Sequence, residues 1–299
     1  MNKIYAALEK KGPLSGKELI RETGMTVFSA WKSCAVSGRV VTQTIGRRYL
    51  RLDSKVEGYA RLSPSIMREF LNYTVVGLKG SEELMAGQAK LIEEEIREIS
   101  RRKIELARET VDRLVANHPE REILAGKTCF LIAGDVVFGM AHAEPRPESS
   151  TGELVRGSDL DIITVTDGLA GHLVDSLDEL LYREKYNLLM NPAQKEEIDY
   201  IVKDLDTVEQ QLQFDDFKKK VASKILDEGL FLSGSPDLYR RVKKMVADYD
   251  IPEKLRRLEE NASRDRIEAE QQLLAVSGSA HHDQLMALFY TTEEKEEIF

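Results

Sequence analysis

Apolar residues recur at helical spacing through the first forty positions, and the repeat is broken where glycine appears. Ile4 to Lys10 reads as a first helix, stopped by Gly12-Pro13. Ser15 and Glu18 have the spacing of a capping box, which opens a second helix that ends at Gly24. After Met25-Thr26, the residues Val27, Ala30, Trp31 and Cys34 fall at i, i+3, i+4 and i+7, one buried stripe of a third helix. VVTQTIGRRYLRLD then reads as strand, turn at Gly46, strand. Residues 56–80 read as a helix followed by a short strand or connection. From Ser81 to Asn117 a single helical pattern carries Ile92, Ile96, Ile99, Leu106 and Leu114 as a narrow stripe. Glu94 and Glu98 are spaced to pair with Arg97, Arg101 and Arg102 along it. Such a helix suits a spacer, or pairing with a copy of itself as a homodimer. His118-Pro119 ends it.

Beyond Pro119 the pattern changes to strand, helix, strand, helix. Lys127 to Asp135 (KTCFLIAGD) is a short buried strand ending at Gly134, and VVFGMAHAE continues as a helix or turn. Pro145 to Gly157 is rich in Pro, Ser and Gly and reads as an exposed loop. The next stretch, RGSDLDIITV, is a β-branched strand carrying two aspartates. Side chains alternate along a strand, so Asp159 and Asp161 point the same way, about 7 Å apart at their backbones. Like charges that close repel, and a bound cation would compensate them. A helix follows from Gly171 to Tyr182, then KEEIDYIVKD, a strand with Glu197, Asp199 and Ile201 on one face. The helix after it carries Lys224, which reads as a surface lysine. Pro252 to Val276 is a charged helix; His281-His282-Asp283 reads as loop, and the acidic tail as frayed.

Composition adds limits. Hydrophobic residues make up 42% and charged residues 32% of 299, the balance of a folded chain long enough for two cores. No apolar run reaches membrane-spanning length and the start has no signal-peptide core, so a cytoplasmic protein is expected. Two cysteines, Cys34 and Cys129, exclude a disulfide framework or an all-cysteine zinc site. Charge is more informative. The net charge of −9 divides into +8 over residues 1–80 (14 Lys/Arg less 6 Asp/Glu) and −17 over the rest. A basic head on an acidic body points to nucleic acid as the partner of the head.

The three short helices and strand pair of residues 1–55 resemble the winged helix-turn-helix family. That resemblance implies a third helix in the major groove, offering Ser29, Lys32 and Ser33, with Arg47, Arg48 and Arg51 near phosphates. A protein-binding role for the same module is the alternative.

Residues 120–240 resemble the DNA-polymerase-β-like nucleotidyltransferase superfamily. The resemblance rests on FLIAGD (Phe130–Asp135), on SDLDI (Ser158–Ile162) and on IDY (Ile198–Tyr200). It implies that Asp159 and Asp161 bridge two Mg²⁺ (or Mn²⁺) ions and that Asp199 holds the one activating an acceptor hydroxyl. Gly134, Asp135 and Ser158 would then lie against the NTP. Two departures stand out: Gly134 is followed by Asp135 instead of Gly or Ser, and 24 residues lie between Gly134 and Asp159.

The expected architecture is therefore α/β (α+β). It comprises a winged helix (1–55), a connector with a long helix (56–118), a nucleotidyltransferase-type small mixed sheet flanked by helices (119–245) and a C-terminal helical extension (246–299). The expected activity is Mg²⁺-dependent transfer of a nucleoside monophosphate from an NTP to a hydroxyl on RNA, protein or a small molecule. The alternative is a DNA-binding transcriptional regulator whose second domain is inactive or senses a nucleotide.

Overall fold

The computed structural model describes residues 1–148, 151–276 and 283–291, a mixed α+β chain that divides into two compact units. Met1–Ile96 with Leu258–Phe299 forms one, and Arg97–Arg257 the other. Among the described residues, no helix is long and apolar enough to cross a membrane. The pair His281-His282 and the acidic tail from residue 292 lie outside the described residues.

The first unit opens with α1 (Asn2–Lys11), β1 (Leu14–Ser15), α2 (Gly16–Thr23) and α3 (Val27–Val36). Local chemistry sets these boundaries. Ser15 and Glu18 form the reciprocal capping box, Gly24 closes α2 in the left-handed region, and the Thr26 side chain caps α3. There follow β2 (Val40–Thr44), β3 (Tyr49–Leu52), β4 (Ala60–Ser63), α4 (Ile66–Asn72), β5 (Thr74–Leu78) and α5 (Glu82–Ala116). The strand pair expected over residues 40–52 does not close on itself. β2 pairs instead with β5, which lies between β1 and β2, and β3 pairs with β4. Val75 and Val76 on β5 are fully buried, so the central strand comes from the segment that reads locally as a helix followed by a short strand or connection.

The second unit begins in α5 and continues with α6 (Arg121–Lys127), β6 (Thr128–Ala133), β7 (Pro145–Pro147), β8 (Leu154–Arg156), β9 (Leu160–Thr166) and α7 (Gly171–Met190). Next come β10 (Ile198–Asp204), α8 (Leu205–Gln211), α9 (Phe217–Glu228), β11 (Leu230–Gly234), α10 (Pro236–Asp248) and α11 (Ile251–Ala275), which reaches back into the first unit. Its sheet has the order β10-β9-β6-β11, with β10 parallel to β9 and the other pairs antiparallel. Central β6 is buried along its whole length, which matches its unbroken apolar sequence.

On one sheet face Phe130, Ile132, Leu160, Ile162 and Ile198 pack with Leu177, Leu181 and Leu188 of α7 and with Ala107, Val111 and Leu114 of α5. From Ile99 onward the α5 stripe expected to meet a second copy packs within the unit, with Leu114 buried and Ile99 and Leu106 partly so. The 145–157 loop is a two-stranded ribbon, β7 with β8. At the chain's end, α12 (Asp283–Phe289) begins at Asp283, which reads locally as loop. Its Phe289 is 1% exposed and packs with Ile66, Met67 and Leu273 in the first unit.

Candidate functional site

Strand register assembles the acidic site. Asp161 lies opposite Asp199 on parallel β10 and opposite Ala133 on β6, and Asp159 precedes it by two residues on the same face. The carboxylates of Asp159, Asp161 and Asp199 each offer an oxygen within 4.8 Å of the others. Asp159 and Asp161 are half-buried and Asp199 is exposed. Burial, followed by the charges of Asp159, Asp135, Asp199 and Glu228, holds the Asp161 carboxyl well above its usual range.

Gly134 makes this geometry feasible. Its φ of +81° suits glycine, and a Cβ there would lie 2.4 Å from Asp161 Oδ2. The Gly134 N–H donates to Glu228 Oε1 at 3.2 Å. Glu228 also accepts from Lys224, which is therefore largely buried and paired, contrary to its reading as a surface lysine. Asp135 accepts from the Ser158 hydroxyl, whose oxygen in turn accepts from His142 N at 3.0 Å. Ser158 is thus buried between two partners beside the triad.

Several residues around the site escaped the sequence reading. Lys185 Nζ of α7 donates to Asp199 Oδ1 at 2.8 Å. Lys103 of α5 is buried, and its ammonium donates to Arg156 O at 2.8 Å, to Ser158 O at 2.6 Å and to Glu196. It braces the backbone just before Asp159. Arg146 of β7 lies 2.8 Å from Glu197 Oε2 and 3.8 Å from Asp159 Oδ2, and donates through Nε to Gly157 O at 2.8 Å. Pro145-Arg146-Pro147 carried a signal in retrospect, because flanking prolines hold an arginine extended. Gly157 lets two segments of this region cross: a Cβ on it would meet His142 O at 1.8 Å.

The donor set suits a hard divalent cation, since three convergent carboxylates leave room for water and phosphate oxygens in the shell. Asp159, Asp161 and Asp199 would hold it. Gly134, Asp135 and Ser158 lie beside them, and all six residues belong to the second unit.

The basic candidates of the first unit separate into two groups. Ser29 and Arg47 are exposed, while Ser33 and Arg51 are half-buried. Lys32 and Arg48 are engaged inside the unit. Lys32 Nζ donates to Leu273 O at 3.3 Å and to Val276 O, where a cation at the C-terminal end of α11 is favoured by its dipole. Arg48 donates to both oxygens of Glu69, at 2.6 and 2.7 Å, and to Glu270 at 3.1 Å. Arg266 completes that network, 2.8 Å from Glu270 and 3.4 Å from Glu69. Phe289 covers part of α3, with its ring centroid 5.3 Å from Phe28 and 5.4 Å from Trp31. Of the six residues expected to meet nucleic acid, Ser29 and Arg47 are the exposed ones.

Compared with protein-family models and with curated proteins, the chain matches none.

Proposed function

We propose that the second unit is a divalent-cation-dependent nucleotidyltransferase, moving a nucleoside monophosphate from an NTP to a hydroxyl acceptor, and that the first unit binds nucleic acid. The convergence of Asp159, Asp161 and Asp199 within 4.8 Å on adjacent strands carries the reading. It is supported by the mixed sheet and by Gly134 beside Asp161. An unused set of convergent carboxylates would be costly, because each raises the energy of the others' charged forms.

Mg²⁺, when bound, would supply charge neutralisation for the phosphates and a lowered pKa for the acceptor hydroxyl. The chain's own residues do the rest. Asp159 and Asp161 present two carboxylates along one strand, and Lys103 fixes the backbone that leads into them. Lys185 orients Asp199 through its 2.8 Å hydrogen bond. Gly134 leaves the space in which Asp161 sits. The acceptor class is RNA, protein or a small molecule. Residues 1–80, the basic part of the first unit, carry a net charge of +8 with Arg47 exposed, which supports nucleic acid as the partner of that part.

One observation favours the second reading, a regulator whose second unit senses a nucleotide or is inactive. The Gly134 N–H and the Ser158 hydroxyl, both assigned to the nucleotide, donate to Glu228 and Asp135. Transfer of α-³²P label separates the two. Each labelled NTP is incubated with Mg²⁺, host extract and either wild type or Asp159→Ala/Asp161→Ala. Label reaching RNA, protein or a small molecule with wild type alone supports transfer and names the acceptor class. Nucleotide binding without transfer, in an extract competent with a control transferase, selects the sensing reading.

A further inference from the structure

The β7–β8 ribbon lies in the chain between Gly134 and Asp159, and it delivers one cation to the carboxylates. Arg146 is held in three ways. Prolines flank it, its Nε donates to Gly157 O, and Lys103 pins the Arg156 and Ser158 carbonyls at the ribbon's far end. Its side chain is 13% exposed, and that of its partner Glu197 is 5% exposed. A guanidinium so fixed is a pre-shaped fork for oxyanions.

The local charges show what the fork is for. Asp161 feels the charges of Asp159, Asp135, Asp199 and Glu228, and Glu197 those of Asp159, Asp199 and Glu148, so a polyphosphate meets repulsion here unless fixed cations face it. Lys224 is committed to Glu228, and Lys185 to Asp199. Arg146 is differently placed. It sits in close contact with Glu197 but at 3.8 Å from Asp159, the contact that becomes redundant once a metal neutralises Asp159.

We propose that Arg146 is a phosphate-binding residue. With a divalent cation on the aspartates, its guanidinium exchanges Asp159 for the polyphosphate of the nucleotide, while Glu197 and the Gly157 carbonyl keep it in position. The inference rests on the nucleotide reading of the same site, and it makes the ribbon a phosphate clamp.

The test uses the full chain as wild type, Arg146→Gln and Arg146→Lys. Free Mn²⁺ is followed by electron paramagnetic resonance to obtain metal binding alone. Calorimetry in Mg²⁺ gives binding of ATP, GTP, CTP, UTP and inorganic tripolyphosphate, the last separating phosphate from base recognition. Arg146→Gln is expected to weaken tripolyphosphate and NTP binding by roughly tenfold or more, the scale of one charge-assisted contact. Mn²⁺ alone should bind it as tightly as wild type or more tightly, because a competing cation is gone. Arg146→Lys, which keeps charge but not the fork, should fall between. Equal tripolyphosphate binding by wild type and Arg146→Gln overturns the clamp and leaves the nucleotide reading standing. Loss of Mn²⁺ and tripolyphosphate together in Arg146→Gln, with Arg146→Lys no better, overturns it as well, since the arginine would then only hold the site together. Failure of wild type to bind any NTP or tripolyphosphate sinks the nucleotide reading, and the clamp with it.

Discussion

Replacing Lys103 by methionine probes how the backbone leading into Asp159 is held. The Lys103 ammonium is buried, with two carbonyls and Glu196 as acceptors. Burial pushes the Glu196 carboxyl above its usual range, against the pull of the Lys103 charge. Methionine preserves the stem and removes every donor. Breaking a buried ion pair by deleting one partner costs about 3–5 kcal/mol, and protonation of the stranded Glu196 limits the loss. We expect a loss of about 4 kcal/mol from the second unit, which at ~2–4 °C per kcal/mol is a fall in Tm of about 8–16 °C. The assay has an internal control, because the chain's single tryptophan, Trp31, lies in the first unit. Urea unfolding by circular dichroism should show one transition displaced, while Trp31 fluorescence stays near wild type. Lys103→Met/Glu196→Leu should recover about half the loss or more, since neither charge is then buried alone. A loss under about 1 kcal/mol in the single variant, or a double variant no better than the single, would refute this account.

Three further outcomes are expected. With the Asp161 carboxyl held above the usual range, this group binds its proton more tightly in the folded than in the unfolded chain above about pH 4. The contribution of Asp161 to metal-free stability therefore falls as pH rises from there through the raised folded value. Asp161→Asn should flatten that fall in a Tm-against-pH series and abolish any Mg²⁺-induced rise. Burial pulls the Lys203 ammonium down to about 8, so stability lost to its desolvated charge returns as pH climbs from about 8 towards the unfolded value of ~10.4. Lys203→Met should add about 1–3 kcal/mol at neutral pH and nothing above ~pH 10; an equal gain at both, in chemical denaturation, would contradict the charge argument. Phe289→Ala, at a site 1% exposed against Phe28 and Trp31, should cost the first unit about 3–5 kcal/mol and shift Trp31 emission to the red. Unchanged emission would mean that α12 does not hold that position in solution.

The sequence alone determined whatever depends on neighbours a few residues apart. The capping box at Ser15, the long α5 and the buried β6 and β9 follow from capping chemistry and from periods of 3.6 and 2.0. The same period of two put Asp159 and Asp161 on one face. Tertiary structure alone decided which strand meets which. β5 lies between β1 and β2 because Val75 and Val76 are buried there, and several short apolar strands could fill that place equally well by local pattern. Register across β9 and β10, not spacing in the chain, brings Asp199 to Asp161. Charged residues were least legible of all. Arg146, Lys103 and Lys224 sit in polar stretches that look solvated, yet each is buried against a carboxylate distant in the sequence or on the next helical turn. Lys32 and Arg48, which read as partner-facing, are engaged by α11. A charge is either solvated or paired, and which holds depends on what the fold packs above it.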